Sequence, residues 1–307
     1  MSYAVLFSGQ GNQHAQMMPW LESEPACAET LSSMRKSIGP DWRKALNDVE
    51  RRSDNEFAQV LITGTSLAAW AALKNRLPAA PAVVAGYSVG ELAAFVSADV
   101  FTAEQALVLA AKRAALMNEA VAGLNTGLLS VSGISEVTVR AVCADFEIEC
   151  AIRLNISHAI YAGTEAMLAQ AANKLVTFGA ACKRLEVRVA SHSSLMAAAT
   201  TAFADVLRDV PFAEPDCPVA VNASGALSRK SKELRLALSQ QLSSTVQWSS
   251  CMDAMAERKI SCVIEIGPGS ALARIWNERF PDIPARSVDD FQNLQGVLDW
   301  IFKHGDA

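Results

Sequence analysis

Residues 86–90, Gly-Tyr-Ser-Val-Gly, constrain the fold of this chain more than any other short segment. They follow the apolar run AVVA (82–85) and precede ELAAFVSA (91–98), which reads as a helix. A G-x-S-x-G turn between a strand and a helix is so sharp that flanking Cβ atoms would collide, and it lifts the serine hydroxyl clear of the backbone. The pattern predicts Ser88 as a nucleophile, with the N–H of Val89 at the helix start as an oxyanion donor. The alternative is a glycine-rich turn with an incidental serine.

Short apolar runs alternate with long helical patterns outside the middle of the chain. The runs are 4–7, 82–85, 218–221 and 262–266, and helical periodicity covers 57–77 and 103–124. Strands that are apolar throughout and alternate with helices indicate a parallel sheet covered on both faces. Three of the runs lead into glycine-rich segments, SGQG, GYSVG and GPG. Since active groups sit beyond the carboxyl ends of such strands, we expect these segments to converge in one crevice.

The middle of the chain has a different order of elements. The patterns predict strands at 127–132, 150–154, 159–163 and 182–190, with helices at 136–146 and 165–179. This β-α-β-β-α-β order is ferredoxin-like. We therefore expect an α/β fold: a large parallel-sheet body formed by 1–124 and 191–307, with an inserted ferredoxin-like α+β subdomain at 125–190.

Composition excludes several classes of function. The 307 residues are 51% hydrophobic and carry a net charge of -5, which leaves no electrostatic footprint for nucleic acid. The start lacks a basic segment before an apolar one, and the long apolar stretch 79–98 contains Glu91 and glycines. We expect a cytoplasmic protein without a membrane span. None of the seven cysteines forms a C-x-x-C pair, and none lies near a histidine at the spacing of zinc ligands. No metal site is therefore expected.

A serine nucleophile needs a base, and the chain has four histidines. His192 is favoured because it follows the predicted strand 182–190 at a strand-to-helix junction. His14 reads as part of a helix entry and His158 as part of a hairpin turn. A rival interpretation is a serine hydrolase in which His304 is the base and Asp289 the acid, in the chain order Ser…Asp…His.

Six segments together resemble a known family. FSGQGNQ (7–13), GYSVGE (86–91), KRAALMN (112–118), ASHSSLM (190–196), VQW (246–248) and EIGPG (265–269) are similar to malonyl-CoA:acyl carrier protein transacylases. The acyltransferase domains of fatty-acid and polyketide synthases are related to these enzymes. The resemblance runs from residue 3 to about residue 280. It implies an α/β-hydrolase-like body with a ferredoxin-like insert, in agreement with the layout above.

The resemblance also implies a role for each matching residue. Ser88 would be the acylated nucleophile and His192 its general base, oriented by main-chain carbonyls. The remaining implied roles are oxyanion donors at Gln10 and Val89, a carboxylate-binding Arg113, and support of the site by Gln247, Met117 and Asn118. The implied partners are malonyl-CoA and an acyl carrier protein with a phosphopantetheine-type thiol arm. No cofactor and no metal is expected, because both half-reactions exchange thioesters.

Three positions depart from the family pattern. Tyr87 replaces the usual His, Ser8 the usual Pro and Asn118 the usual Gln. GYSVGE together with SVDDFQNLQGVLDWI (287–301) resembles the malonyltransferase subunit of bacterial malonate decarboxylases, so fatty-acid synthesis and malonate catabolism both remain open as the pathway. A non-catalytic assembly subunit is a further alternative.

Two basic clusters are candidates for docking an acidic carrier protein, and each could equally be a solvated surface. One contains Lys183 and Arg184. The other contains Arg229, Lys230, Lys232 and Arg235.

Overall fold

The computed structural model describes residues 2–305, which form ten β-strands and thirteen α-helices. The strands are β1 Tyr3–Phe7, β2 Val83–Gly86, β3 Thr126–Ser132, β4 Glu149–Asn155, β5 His158–Thr164, β6 Ala181–Arg184, β7 Val219–Ala220, β8 Leu227–Ser228, β9 Cys262–Ile266 and β10 Ala285–Ser287. The helices are α1 Ala28–Ile38, α2 Trp42–Ala45, α3 Val49–Ser53, α4 Asn55–Lys74, α5 Gly90–Ser97, α6 Ala103–Ala120, α7 Glu136–Asp145, α8 Glu165–Val176, α9 Ala197–Arg208, α10 Ser231–Gln240, α11 Trp248–Ala256, α12 Ala271–Arg279 and α13 Leu294–Gly305.

The larger sheet has the strand order β10-β9-β1-β2-β7-β8. Its first five strands are parallel, and β8 runs antiparallel to β7. Every residue of β1, β2 and β9 is buried, as expected of strands with helices on both faces. The predicted α/β fold with a parallel sheet is confirmed.

The helices around this sheet begin and end close to the predicted positions. The α4 helix is buried along most of its length, and Asp54 caps it by accepting from the N–H of Phe57. The α6 helix begins with a capping box between Thr102 and Gln105. It ends at Ala120, four residues before the predicted end. These caps fix where α4 and α6 begin, and both helices carry site residues.

The smaller sheet is antiparallel, with the order β4-β5-β3-β6. Helices α7 and α8 pack on it around a separate hydrophobic cluster, which gives the predicted ferredoxin-like arrangement. Its last strand, predicted over 182–190, ends at Arg184. Beyond it Glu186 pairs with Arg52 and Arg188 with Glu50, both in α3, so ion pairs replace further strand pairing.

Main-chain hydrogen bonds join the smaller sheet to the segment just before α11. The amide of Arg153 in β4 donates to the carbonyl of Val246, and the amide of Val246 donates to Ala151. The division into a body and a subdomain at 125–190 stays a prediction.

The carboxyl ends of β1, β2 and β9 lie side by side, so the three glycine-rich segments converge. The amide of Ser8 donates to Ile266 at 3.0 Å, and the amide of Tyr87 donates to Phe7 at 2.9 Å. A Cβ on Gly267 would lie 2.7 Å from the Cβ of Ser8, so only glycine fits there. None of the helices formed by residues 2–305 could span a lipid bilayer.

Candidate active site

Ser88 stands in the turn between β2 and α5 with a backbone φ of +55°, which a non-glycine residue seldom adopts. A Cβ on Gly86 would lie 2.0 Å from the carbonyl carbon of Gly90, and one on Gly90 would lie 2.4 Å from the carbonyl oxygen of Phe7. Both flanking positions therefore require glycine. The geometry is that of a nucleophile elbow.

Asn222, which follows β7, holds this turn in place. Its Oδ1 accepts from the amide of Ser88 at 2.9 Å, and its Nδ2 donates to the carbonyl of Gly86 at 2.7 Å. The side chain is fully buried. Two hydrogen bonds from one rigid amide offset the strain of the positive φ.

Ser88 and His192 are in hydrogen-bond contact, with 2.8 Å between Oγ and Nε2. The other ring nitrogen, Nδ1, lies 2.6 Å from the main-chain carbonyl of Gln241. A carbonyl oxygen can only accept, so Nδ1 carries the proton and Nε2 presents its lone pair to the serine hydroxyl. Burial, together with the nearby charge of Arg113, lowers the pKa of His192 to about 3. The imidazole is therefore neutral and free to accept a proton.

Arg113 extends from α6 into the same site and is 1% exposed. Its NH1 donates to Oε1 of Gln59 at 2.7 Å and its NH2 to Oε1 of Gln241 at 2.8 Å, while NH2 lies 3.5 Å from Ser88 Oγ. Its Nε is buried and has no partner among residues 2–305. Burial lowers the pKa of Arg113 to about 10, so the group stays charged at neutral pH. An unpaired donor on a buried cation beside the serine suits a carboxylate ligand.

Gln241 connects the charged groups of the site, and the sequence analysis did not identify it. Its Nε2 donates to the carbonyl of Ser88 at 3.0 Å and to Oε2 of Glu91 at 2.6 Å. Burial raises the pKa of Glu91 to about 7, although hydrogen bonds from Asn222 and Gln241 lower it. One side-chain amide thus bridges the carboxyl group of Glu91 and the guanidinium of Arg113.

Met117 lines the same cavity as Ser88, whereas Asn118 is joined to the site through Asn55. Gln59, the partner of Arg113, donates through Nε2 to Oδ1 of Asn55 at 2.8 Å and lies 3.4 Å from the sulfur of Met117. Asn55 in turn donates to Oδ1 of Asn118 at 3.1 Å. Gln59 and Asn55 were also not identified from the sequence, and the available signal was a glutamine inside the apolar helix α4.

Gln247 does not have the expected position beside the histidine. Its side-chain amide donates to the carbonyl of Thr245 at 3.4 Å, and its main-chain amide donates to Asn222 at 2.8 Å. The segment after α10 contacts the imidazole at Gln241, six residues before Gln247. The amide of His192 also donates to the carbonyl of Leu242 at 2.8 Å. Gln241 therefore takes the supporting position expected of Gln247.

Gln10 and Val89 line the same cleft, which has a volume of about 490 Å³ and lies between the two sheets. The loop that carries Gln10 lies against the nucleophile turn, because a Cβ on Gly9 would be 2.6 Å from the carbonyl oxygen of Tyr87. The ring of Tyr87 packs edge-on against Trp248, with 5.1 Å between centroids. The Nε2 of Gln10 is buried and unpartnered within the described chain.

The alternative triad is not assembled. His304 stacks on Trp300 in α13, with 4.9 Å between ring centroids. Asp289 contacts His14 instead, with 2.8 Å between Oδ2 and Nε2. Nε2 of His158 is hydrogen-bonded to Oγ of Ser130 at 2.8 Å. Of the four histidines, His192 is the one in contact with Ser88.

The two basic clusters differ in their position relative to the cleft, which is lined by Lys183 and Arg184 but by no cation of the other cluster. Lys230 pairs with Glu233 at 2.9 Å, and Arg229 donates to the carbonyl of Asp216 at 2.7 Å. In the other cluster Arg184 pairs with Glu165. Lys183 lines the cleft, and no ion pair involving it occurs within residues 2–305. In that same range, His, Cys, Asp and Glu side chains form no cluster of three or more that could hold a metal.

Comparisons with known proteins identify the family of this chain. The acyl transferase domain model matches residues 5–295. The malonyl CoA-acyl carrier protein transacylase of Mycobacterium tuberculosis is 30% identical over 301 residues, covering 96% of this chain and 99% of that protein.

Two solved structures have nearly the same fold. The crystal structure of an acyl-carrier-protein S-malonyltransferase from Burkholderia pseudomallei 1710b is 28% identical with a TM-score of 0.89, covering 97% of this chain and 100% of the other. A type II PKS acyl-carrier protein in complex with its malonyl-transacylase gives 26% identity and a TM-score of 0.90, covering 97% and 99%. The family match spans nearly the whole chain, and the nucleophile elbow, the paired histidine and the buried arginine lie within it. The chain belongs to the acyl transferase domain family.

Proposed function

We propose that this protein transfers a malonyl group from malonyl-CoA, through an ester on Ser88, to the thiol of an acyl carrier protein. The observation that carries the proposal is the buried, charged Arg113 whose NH2 lies 3.5 Å from Ser88 Oγ. A malonyl thioester presents a free carboxylate to that guanidinium. An acetyl or longer alkyl group would leave the charge unpaired, at a cost of about 1–3 kcal/mol or more.

In the first half-reaction Ser88 Oγ attacks the thioester carbonyl while its proton passes to Nε2 of His192. The main-chain N–H groups of Gln10 and Val89 hold the oxyanion. When the intermediate collapses, the C–S bond breaks and the leaving thiolate takes the proton from His192. The products are malonyl-Ser88 and CoA.

The second half-reaction reverses these steps. The carrier-protein thiol gives its proton to His192 and attacks the ester carbonyl. The bond between the carbonyl carbon and Ser88 Oγ then breaks, and the serine recovers its proton from His192. Both steps are acyl exchanges between oxygen and sulfur, so no electron transfer is required.

Support for the carrier as acceptor comes from the relatives, which are named malonyl CoA-acyl carrier protein transacylases. One structural relative is a complex with a type II PKS acyl-carrier protein. Assignment to malonate decarboxylase, suggested by GYSVGE and the segment 287–301, stays a prediction. Offering a fatty-acid carrier and a malonate decarboxylase carrier to the malonylated enzyme, at equal concentrations, tests it.

The intact mass of the protein after brief incubation with malonyl-CoA or acetyl-CoA tests the proposal. We expect a malonyl adduct on the wild type and little acetyl adduct. Ser88→Ala should give none, whereas Ser191→Ala, which changes another serine of the cleft, should still be labelled.

Each rival function predicts a different result. The absence of any adduct on the wild type would favour a non-catalytic assembly subunit. Equal labelling by acetyl-CoA would remove the role of Arg113 in selecting a diacid. Loss of activity in His304→Ala would revive the hydrolase triad, and full activity would exclude it.

A further inference from the structure

The loop after β1, residues 8–14, packs directly on the nucleophile turn. A Cβ on Gly9 would lie 2.6 Å from the carbonyl oxygen of Tyr87, and one on Gly90 would lie 2.7 Å from the carbonyl oxygen of Ser8. Gln10, the proposed oxyanion donor, is part of this loop. Its N–H can meet a developing oxyanion only if the loop is held firmly in one position.

The start of the loop is tied to a buried carboxyl group. Ser8 donates through its hydroxyl to Oε1 of Glu265 at 2.9 Å, and its amide donates to Ile266 at 3.0 Å. Glu265 is 1% exposed, and its Oε2 accepts from the amide of Ala273 in the first turn of α12 at 2.8 Å. The carboxyl group therefore bridges β1 and α12, and it has little freedom to move.

Serine at position 8 makes a hydrogen bond to Glu265 that a proline could not make. A proline ring fixes the backbone φ of its own residue without any partner. A serine leaves that rotation free, so the loop needs another constraint. The bond from Ser8 to Glu265 supplies one where the chain enters the loop.

The other end of the loop is tied to Asp289, which follows β10. Its Oδ2 contacts Nε2 of His14 at 2.8 Å and accepts from the amide of Gly269 at 2.7 Å. Its Oδ1 accepts from the amide of Met18 at 2.5 Å. The loop is thus held at both ends by carboxyl groups from the C-terminal part of the chain.

We propose that Ser8, through its hydrogen bond to Glu265, is a positioning residue that places the Gln10 N–H for oxyanion stabilisation, with the His14–Asp289 contact holding the far end of the loop. The inference rests on the proposed acyl transfer. It gives a role to a serine at a position where related sequences usually have proline. It also gives a role to Asp289, which belongs to the segment 287–301.

The first test is single-turnover acylation of Ser88 by malonyl-CoA in the wild type and in the Ser8→Ala variant. We expect the maximal rate to fall about tenfold, part of the roughly 10²–10³-fold effect of losing an oxyanion donor. The concentration for half-maximal rate should change less than about twofold, because binding to Arg113 is untouched. Ser228→Ala removes a comparable serine-to-glutamate bond, from Ser228 to Glu233 at 2.7 Å, and should leave both values unchanged.

A double-mutant cycle separates positioning from a loss of stability. Glu265→Gln keeps the shape of the side chain and should slow acylation by about threefold in the wild type, but have no further effect in Ser8→Ala. His14→Ala should also reduce the maximal rate of acylation. The melting temperature of each variant is measured in parallel. Additive effects of the two substitutions, or a Ser8→Ala variant with lower thermal stability and an unchanged acylation rate, would overturn the inference. Failure of the wild type itself to be acylated would instead refute the proposed function.

Discussion

His192 and Gln241 are joined through the imidazole, whose Nδ1 donates to the main-chain carbonyl of Gln241 at 2.6 Å. The side chain of the same glutamine accepts from Arg113 at 2.8 Å and donates to Glu91 at 2.6 Å. One residue therefore orients the base with its main chain and the guanidinium with its side chain. A displacement of Gln241 would disturb the reacting pair and the carboxylate-binding group together.

Replacement of Gln241 should affect stability and activity at once. In Gln241→Ala both Arg113 and Glu91 lose a buried hydrogen-bond partner, so we expect the free energy of unfolding to fall by about 3 kcal/mol. Malonyl labelling of Ser88 should also slow. Gln240→Ala, at an exposed neighbouring glutamine, should change neither value. Urea unfolding together with intact-mass labelling checks this, and equal stability of the two variants would contradict it.

The pH dependence of Ser88 reactivity should reflect the buried histidine. An exposed histidine loses its basic form as the pH falls through about 6.5. Because burial and the charge of Arg113 lower the pKa of His192 to about 3, the neutral base persists far below 6.5. The rate of labelling by an uncharged fluorophosphonate should therefore vary little from about pH 5 to 8. A decline centred near pH 6.5 in the wild type would contradict this.

Arg113 should contribute to that shift. Its charge is the second cause, after burial, of the lowered pKa of His192. In Arg113→Met we expect the acid decline of fluorophosphonate labelling to move toward neutral pH while remaining below about 6.5. Lys112→Met removes the same charge from an exposed position on α6 and should leave the profile in place. Identical profiles for the two variants would show that Arg113 does not act on the base.

Asn222 should control the reactivity of Ser88 without touching substrate. Asn222→Ala removes the hydrogen bonds to the amide of Ser88 and the carbonyl of Gly86, so the turn no longer has a partner that enforces the positive φ. We expect labelling of Ser88 to slow by about tenfold. Asn277→Ala is the matched control, because Asn277 also brackets main-chain groups, those of Ala285 at 2.8 and 2.9 Å. Equal labelling rates in both variants would contradict the prediction.

Local patterns predicted much of this architecture, because their physical cause lies within a few residues. The elbow at Ser88 needs glycine at 86 and 90 for reasons of close contact along one turn, and its neighbours in sequence read plainly as a strand and a helix. His192 was preferred because it follows the predicted strand 182–190, although in the structure that strand ends eight residues earlier, at Arg184. The same local logic predicted the antiparallel subdomain from the order of its elements.

Contacts between distant segments could not be predicted in this way. Gln241 lies 49 residues from His192 in sequence, and nothing in its own neighbourhood distinguishes it from Gln247. Asn222 reaches Ser88 across 134 positions. The last strand of the small sheet was predicted too long because Glu186 and Arg188 look compatible with an exposed strand. Their ion-pair partners belong to a segment more than 130 residues earlier.

Lys183 should contribute more to carrier binding than the larger basic cluster does. It lines the cleft and forms no ion pair within residues 2–305, whereas no cation of the larger cluster lines that cleft. An acidic carrier would therefore find an unneutralised charge beside the opening to Ser88. Lys183→Glu should raise the KM for the carrier several-fold at low salt, and the difference should shrink as salt screens the contact. Lys232→Glu, the same charge reversal in the other cluster, should leave the carrier KM unchanged. If Lys232→Glu has the larger effect, the carrier docks away from the cleft opening, and its thiol arm must then reach Ser88 from that side.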